Sequence, residues 1–359
     1  MTVKVTRDAI NLREKLSELD KPAGIAGTEI LRADTPQEVF NYINAGRRNL
    51  IINGDMRIDQ RNAGASHTGS GFVYSTDRWW TYYDSSFGGT ITRQQSTDAP
   101  DGFTHSLKWT VGTADTSITS AEQYIINQSI EAQNMSQLGL GTSWAKNFTL
   151  SFWVKSSVTG QYGVMVGSSS NTLYTTTVTV NAADTWEYKT VTIPGTSTGS
   201  WGTGNSTGLY VRITLAAGTN YQTNFGTWSV GTYKLTNSSQ VNWMKTSGNT
   251  FYLTGVQLEV GSVATPFEHR SYGEELALCQ RYFIKHINTS FYNAGVSSHT
   301  LRVALPVEMR ANPTITRVGS FWSGSEAAPT IGIYEKKAFM ISGSTATYLG
   351  GNFTADAEL

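Results

Sequence analysis

The sequence predicts a mainly β protein: a helical amino-terminal segment over 1–48, a β-sandwich over 49–270, and a short helix with a small β domain over 271–359. Three observations carry this. Phe148, Leu150, Phe152 and Val154 alternate with Thr149, Ser151, Trp153 and Lys155, and Leu209, Val211, Ile213 and Leu215 alternate with Tyr210, Arg212 and Thr214. That is the period of strands with one buried face. Charged residues make up only 15% of the chain, which is rich in Gly, Ser, Thr and aromatics, the balance of an all-β extracellular surface. Finally, Val256, Leu258 and Val260 alternate with Gln257 and Glu259. The strand meets breakers at Gly261 and Pro266, and Ser271 with Glu274 then forms an S-x-x-E capping box that starts a helix over 272–283.

The first 48 residues differ from the rest, being charged and poor in Gly, Ser and Thr. Val5, Ala9, Leu12, Leu16 and Leu19 recur at heptad spacing, a seam about two heptads long. So short a helix is marginal in water by itself and calls for a partner, either other copies or the rest of a particle; the alternative is a helix packed on its own domain. A second helix is expected over 35–45, with Thr35 as N-cap, Pro36 in the first turn, Glu38 completing a capping box and Gly46 as terminator. The Pro/Gly-containing stretch 21–27 links the two.

From residue 49 further strands are expected at 91–95, 105–111, 123–130, 162–166, 173–180 and 186–193, divided by Gly, Asn, Asp and Ser clusters. Short strands at this density, with no helices alternating between them, mean a sandwich rather than a parallel βαβ sheet. Beyond the helix, Leu301, Val303, Leu305 and Val307 alternate, and 314–318, 330–334 and 338–342 read as strands.

Two sets of residues resemble bacteriophage tail fibre and virion structural proteins that carry a jelly-roll like that of carbohydrate-binding modules. One opens the sandwich: Asn53-Gly54-Asp55 and Asp77-Arg78-Trp79. The other closes it: G-V-Q-L-E-x-G at 255–261 and C-Q-R-Y-F at 279–283. The amino-terminal L-x-E-L-D-K-P at 16–22 is similar to fibre attachment segments, and L-P-V-E-M-R-A-N-P-T-I-T at 305–316 to carboxyl-terminal fibre modules. The resemblance implies a jelly-roll body, a virion-attachment role for 1–48, a distal tip at 271–359, a homotrimer and contact with a host surface glycan. It also implies a structural calcium near the chain ends of the jelly-roll. Asp55 and Glu259 are its candidate ligands, the alternative being exposed charges on edge strands.

Chemistry is otherwise sparse. Gly195 to Gly199 and Gly204 to Gly208 match G-x-S-x-G, but a Gly/Ser/Thr loop is expected there instead of a strand, elbow and helix, so no catalytic residue is assigned. The five histidines are scattered without zinc spacing, and the single Cys279 falls at helical spacing with Leu276 and Phe283, as a buried apolar residue would. Lys plus Arg and Asp plus Glu both number 27, so no global field draws nucleic acid, and no apolar run is long enough to span a membrane. No secretory leader is apparent, so synthesis in a host cytoplasm is expected.

Aromatics are the remaining candidates, because sugar C–H faces stack on them. Alternation places at least one of Trp79 and Trp80 in the core. Trp201, Trp228, Phe321 and Trp322 sit in loops without an apolar pattern and are the expected carbohydrate-binding residues; the alternative is that each covers an edge or packs between subunits. The expectation is therefore a non-enzymatic virion protein, a tail fibre that attaches to the host. Its rivals are a capsid decoration or tail-adaptor protein without host contact, and a glycan-degrading depolymerase.

Overall fold

The computed structural model describes residues 47–223, 226–231, 233–292, 299–319, 330–343 and 348–359. The heptad seam at Val5, Ala9, Leu12, Leu16 and Leu19, the helix expected over 35–45, and Phe321 and Trp322 lie outside them. The chain divides into Met1–Arg48 and Asn49–Leu359, and the second unit holds all the elements below.

Its body is a jelly-roll sandwich. One sheet runs β1 (His67–Thr68), β4 (Ile91–Ser96), β5 (Ser106–Val111), β13 (Thr250–Val260), β7 (Phe148–Ser156), β10 (Glu187–Ile193). The other runs β12 (Trp228–Val230), β9 (Thr172–Val180), β8 (Gly160–Gly167), β11 (Thr207–Ala217), β6 (Gln123–Glu131), β3 (Trp79–Tyr83), β2 (Gly71–Thr76). Alternate residues meet in one core between them. Leu107, Trp109, Leu150, Phe152 and Leu253 come from the first sheet, and Trp79, Tyr124, Ile126, Val164, Val211 and Ile213 from the second.

The strands expected from alternation are present, with ends shifted by a few residues. β13 departs from expectation in one respect: both of its faces are buried. Gln257 and Glu259, expected on the solvated face, are fully enclosed, because residues 261–268 fold back over them. The Glu259 carboxylate accepts from the Thr265 amide at 2.8 Å, the Thr265 hydroxyl at 2.6 Å and the Gln257 amide at 2.8 Å, while Gln257 Oε1 accepts from the Glu268 amide at 2.8 Å. A buried polar row is tolerated when every group finds a partner.

The helix α1 covers Tyr272–Gln280, three residues short of expectation. Ser271 Oγ caps it, accepting from the Glu274 amide at 3.3 Å. It stops because the Tyr282 amide turns back to the Cys279 carbonyl at 2.9 Å and Phe283 opens the next strand. Cys279 is fully buried, and burial raises its thiol pKa, so it stays protonated as expected of a packing residue.

The motifs that open and close the sandwich converge. The Asn53 side chain donates to the Ile58 and Asp77 carbonyls at 2.8 and 3.0 Å, its carbonyl accepts from Trp79 Nε1 at 2.9 Å, and its amide donates to the buried Glu275 carboxylate on α1. Gly54 lies so near β13 that a Cβ there would stand 2.2 Å from the Val256 carbonyl oxygen. Arg78, fully buried, pairs with Glu358 and lies 3.6 Å over the Tyr282 ring. Arg281 meets Glu131 at 2.7 Å, and Tyr282 donates to the same carboxylate at 2.9 Å.

Beyond α1 come two three-stranded sheets: β14 (Phe283–Tyr292), β19 (Tyr348–Asp356), β16 (Thr314–Val318), and β15 (His299–Ala304), β18 (Ala338–Gly343), β17 (Thr330–Glu335). They share a separate core of Ile284, Val303, Phe339, Ile341, Phe353 and Ala355. Charged groups join this part to the sandwich. Arg61 pairs with Glu358 at 3.0 Å and Asp356 at 3.4 Å, and Arg310 donates to the Asn205 carbonyl at 2.7 Å.

Candidate functional site

The outer face of the seven-stranded sheet carries the side chains that alternation turns away from the core. Strand register aligns them in rows across the sheet. One row reads Tyr74, Trp80, Asn127, Arg212, Met165, Thr175, and the next reads Phe72, Tyr82, Ile125, Thr214, Gly163, Thr177. One end of the face is covered by the chain returning through residues 233–240. Gln240 Oε1 accepts from the Gly163 amide at 2.6 Å and its Nε2 donates to the Thr214 carbonyl at 3.1 Å. Gly163 admits this strap because a Cβ there would meet the Leu235 carbonyl at 2.5 Å. Leu235 on the strap packs with the buried Trp80, Ile125, Met165 and Leu173 beneath it.

The other end is open and aromatic. Phe72 is 71% exposed, its ring 5.1 Å from Trp80 in a T-shaped contact and 4.7 Å from Tyr82. Tyr221 meets Tyr233 edge-on at 5.6 Å. Arg212 stands in the midst of these rings, its guanidinium carbon 4.2 Å from the Tyr210 ring centre, 5.1 Å from Tyr233 and 5.9 Å from Trp80. Its Nε donates to Asn127 Oδ1 at 2.9 Å, which fixes the fork. None of the described carboxylates forms a salt bridge with it.

Burial lowers the Arg212 pKa, with Tyr233 and Tyr210 opposing the shift. Burial also pushes Tyr233 up to about 12 and raises Tyr82, the latter with help from Asp84 and Tyr221. These two phenols therefore stay protonated at neutral pH, each able to donate and accept. The face can stack the C–H surface of a sugar ring on Phe72, Tyr82 or Tyr210 and offer guanidinium and phenol donors to its oxygens.

The residues expected from the sequence lie elsewhere. Trp201 and Trp228 meet each other in a T-shaped contact at 5.7 Å, and their indole nitrogens donate to the Thr198 and Pro194 carbonyls at 3.1 and 2.7 Å. Both are partly buried against the sandwich core, where they cover an edge. Asp55 pairs with Arg57, and Glu259 is saturated by the donors named above. Asp55 Oδ1 is buried without a hydrogen-bond partner, whereas both carboxylate oxygens of Glu259 accept hydrogen bonds. Glu259 is not the exposed edge charge of the alternative reading, since it lies buried on a central strand. No group of three His, Cys, Asp or Glu among the described residues is placed to hold a metal. The first G-x-S-x-G match lies in the irregular segment between β10 and β11 and the second runs from it into the start of β11; Ser206 donates to the Thr203 carbonyl at 2.8 Å, and a strand, not a helix, follows.

Trp79 and Trp80 are both buried, on opposite sides of the sheet. Tyr210 and Arg212 were readable as outward positions on their strand; their neighbours across the sheet were not, because register is needed to bring Phe72, Tyr82 and Tyr233 beside them.

No family model matches the chain, and no curated protein matches it. Among solved structures, it is similar to the enzymatically active domain of tailspike protein 4 of bacteriophage CBA120, at 11% identity and a TM-score of 0.34, covering 62% of this chain and 22% of that one. A family 61 carbohydrate-binding module in complex with β-1,4-galactotriose matches at 9% identity and a TM-score of 0.30, covering 60% of this chain and all of the module. The family 11 carbohydrate-binding module of a Clostridium thermocellum cellulosomal cellulase matches at 14% and 0.28, covering 58% and 100%. At these values the likenesses carry no inference about the ligand. No helix among the described residues is long and apolar enough to cross a membrane.

Proposed function

We propose that the chain is a non-enzymatic glycan-binding protein of a phage virion, a tail fibre that attaches the particle to its host through the open aromatic face of the jelly-roll. The observation that carries the glycan reading is the exposed Phe72 joined to Tyr82, Trp80, Tyr210 and Arg212 on one sheet face. The virion reading is supported by the residues at 53–55, 77–79, 255–261 and 279–283 that resemble phage structural proteins. In this reading 1–48 anchors the protein to the particle, the seam at Val5 to Leu19 associates a homotrimer, and the protein is made in the host cytoplasm before assembly.

The test is adsorption of particles carrying Arg212→Gln or Tyr82→Ala, together with binding of the purified chain to host surface polysaccharide. Adsorption should fall at least tenfold, with assembly and melting temperature kept within a few degrees. Unchanged adsorption in both variants, with Trp322→Ala abolishing it, would move the contact to the carboxyl-terminal part. Unchanged adsorption in all three would favour a decoration or adaptor protein.

A further inference from the structure

Two arginines of the body are withdrawn from water to the same degree and completed differently. Arg270 and Arg212 are each 8% exposed. Arg270 meets Glu268 at 3.1 Å and Glu275 at 3.4 Å, whereas no described carboxylate forms a salt bridge with Arg212. Its Nε donates to Asn127 Oδ1, and Nη1 and Nη2 make no hydrogen bond with any described residue. Neither Nη is among the enclosed atoms that lack a partner, so this edge of the fork meets solvent on the open aromatic face. The groups that act on the charge, besides burial, are the phenols of Tyr233 and Tyr210. Asp84 acts on the nearby Tyr82, and its own carboxylate is taken up by the Ser86 amide and hydroxyl at 2.8 and 2.7 Å.

Aromatic rings satisfy the flat faces of a guanidinium but leave its in-plane N–H groups without acceptors. A carboxylate lies in that plane and takes two N–H groups at once, and it returns the missing charge, which a neutral hydroxyl cannot do. Without an acid, the cost of withdrawing the cation from water stays largely uncompensated.

We propose that the glycan bound on this face is acidic, with a sugar carboxylate, as in a uronic acid, seated on the Nη edge of Arg212. The assignment rests on the glycan reading above and names the class of sugar. Phe72 on β2 and Arg212 on β11 stand three strands apart in the sheet, roughly 14 Å at about 4.8 Å per strand. The ligand is therefore an oligosaccharide, with one unit stacked on Phe72 and an acidic unit further along at Arg212. Binding is non-covalent.

The test is binding of the purified full chain to polygalacturonate, alginate and hyaluronate, each beside the same polymer with its carboxyl groups reduced to primary alcohols. At low salt at least one acidic polymer should bind about tenfold more tightly than its reduced form, the effect of one charged hydrogen-bonded pair. Raising sodium chloride to about 0.5 M should narrow that gap, a measurement on the native chain that stands whether or not a variant folds. Arg212→Gln should bind the acidic and reduced forms alike, while Tyr82→Ala should weaken both and keep their ratio. A reduced polymer bound as tightly as its acidic parent, or a preference for acid that survives in Arg212→Gln, would overturn the acidic assignment and leave the glycan reading standing. Binding of none of the polymers would also overturn it, and adsorption of the Tyr82→Ala particles would then decide the glycan reading separately.

Discussion

The junction where the sandwich motifs meet and the outer face of the seven-stranded sheet are both built from arginines and aromatic rings, yet they are finished differently. At the junction each cation has an acid: Arg78 with Glu358, Arg281 with Glu131, Arg270 with Glu275. On the outer face Arg212 has rings and an amide but no acid, and Phe72 is left open beside it. A closed network serves the fold, whereas donors and rings left facing solvent are what a ligand can complete. The motifs that resemble a family are thus architectural. The face proposed to bind contains no motif at all.

The largest expected effect lies in the closed network. Glu358→Gln leaves Arg78 buried and unpaired, so urea unfolding should show a loss of about 3–5 kcal/mol. A loss under about 1 kcal/mol would break the contrast, since the junction would then be no more demanding than a surface pair. Gly54→Ala comes next, because its methyl group meets the Val256 carbonyl; about 1–3 kcal/mol should be lost, and chain refolding yield should fall with it.

The third effect depends on pH. Asp77, buried at the junction, has its pKa raised from 3.8 to about 7 by desolvation, with the Gln60 side chain pulling the other way. A carboxyl raised in the folded state binds protons more tightly folded than unfolded, so its contribution is greatest below pH 3.8 and is lost as pH climbs towards 7. Asp77→Asn should flatten the stability profile across that window. A profile unchanged by the substitution would show that Asp77 ionises normally. The smallest stability effect belongs to the open face: Phe72→Ala should change unfolding by no more than about 0.5 kcal/mol while weakening polysaccharide binding, measured by surface binding of the purified chain. A stability loss comparable to Glu358→Gln would mean that the face is structural as well.

Much of the sandwich was legible because period-two alternation is a local property, and Phe148 to Lys155 or Leu209 to Leu215 state it in one short run. The helix start was legible for the same reason, Ser271 and Glu274 being three residues apart. What was hidden depended on long-range partners. Gln257 and Glu259 looked solvated until residues 261–268 folded over them. The strands β14 and β19, rich in polar residues and glycine, pair with each other across the carboxyl-terminal part and show no pattern alone. Of the candidate site, Tyr210 and Arg212 were visible as outward residues, but Phe72 and Tyr82 gained meaning only from the register of β2, β3 and β6. For Trp201 and Trp228 the sequence left sugar stacking and edge cover both open, because a loop does not reveal that two indoles will meet each other.

The hydrogen bond from the Asn53 amide to Glu275 spans 222 positions of the chain, and that from Asn49 Nδ2 to Val256 spans 207. Contacts of such separation are slow to form, since the entropy of closing a very long loop must be overcome before any stabilisation is returned. The hairpin pairs β2 with β3, β4 with β5 and β8 with β9 can assemble early, while the closure of the sandwich waits for β13 and α1. Nascent chains therefore pass through a period with paired hairpins but unsealed sheets, and in that interval neighbouring copies present the same open edges to one another.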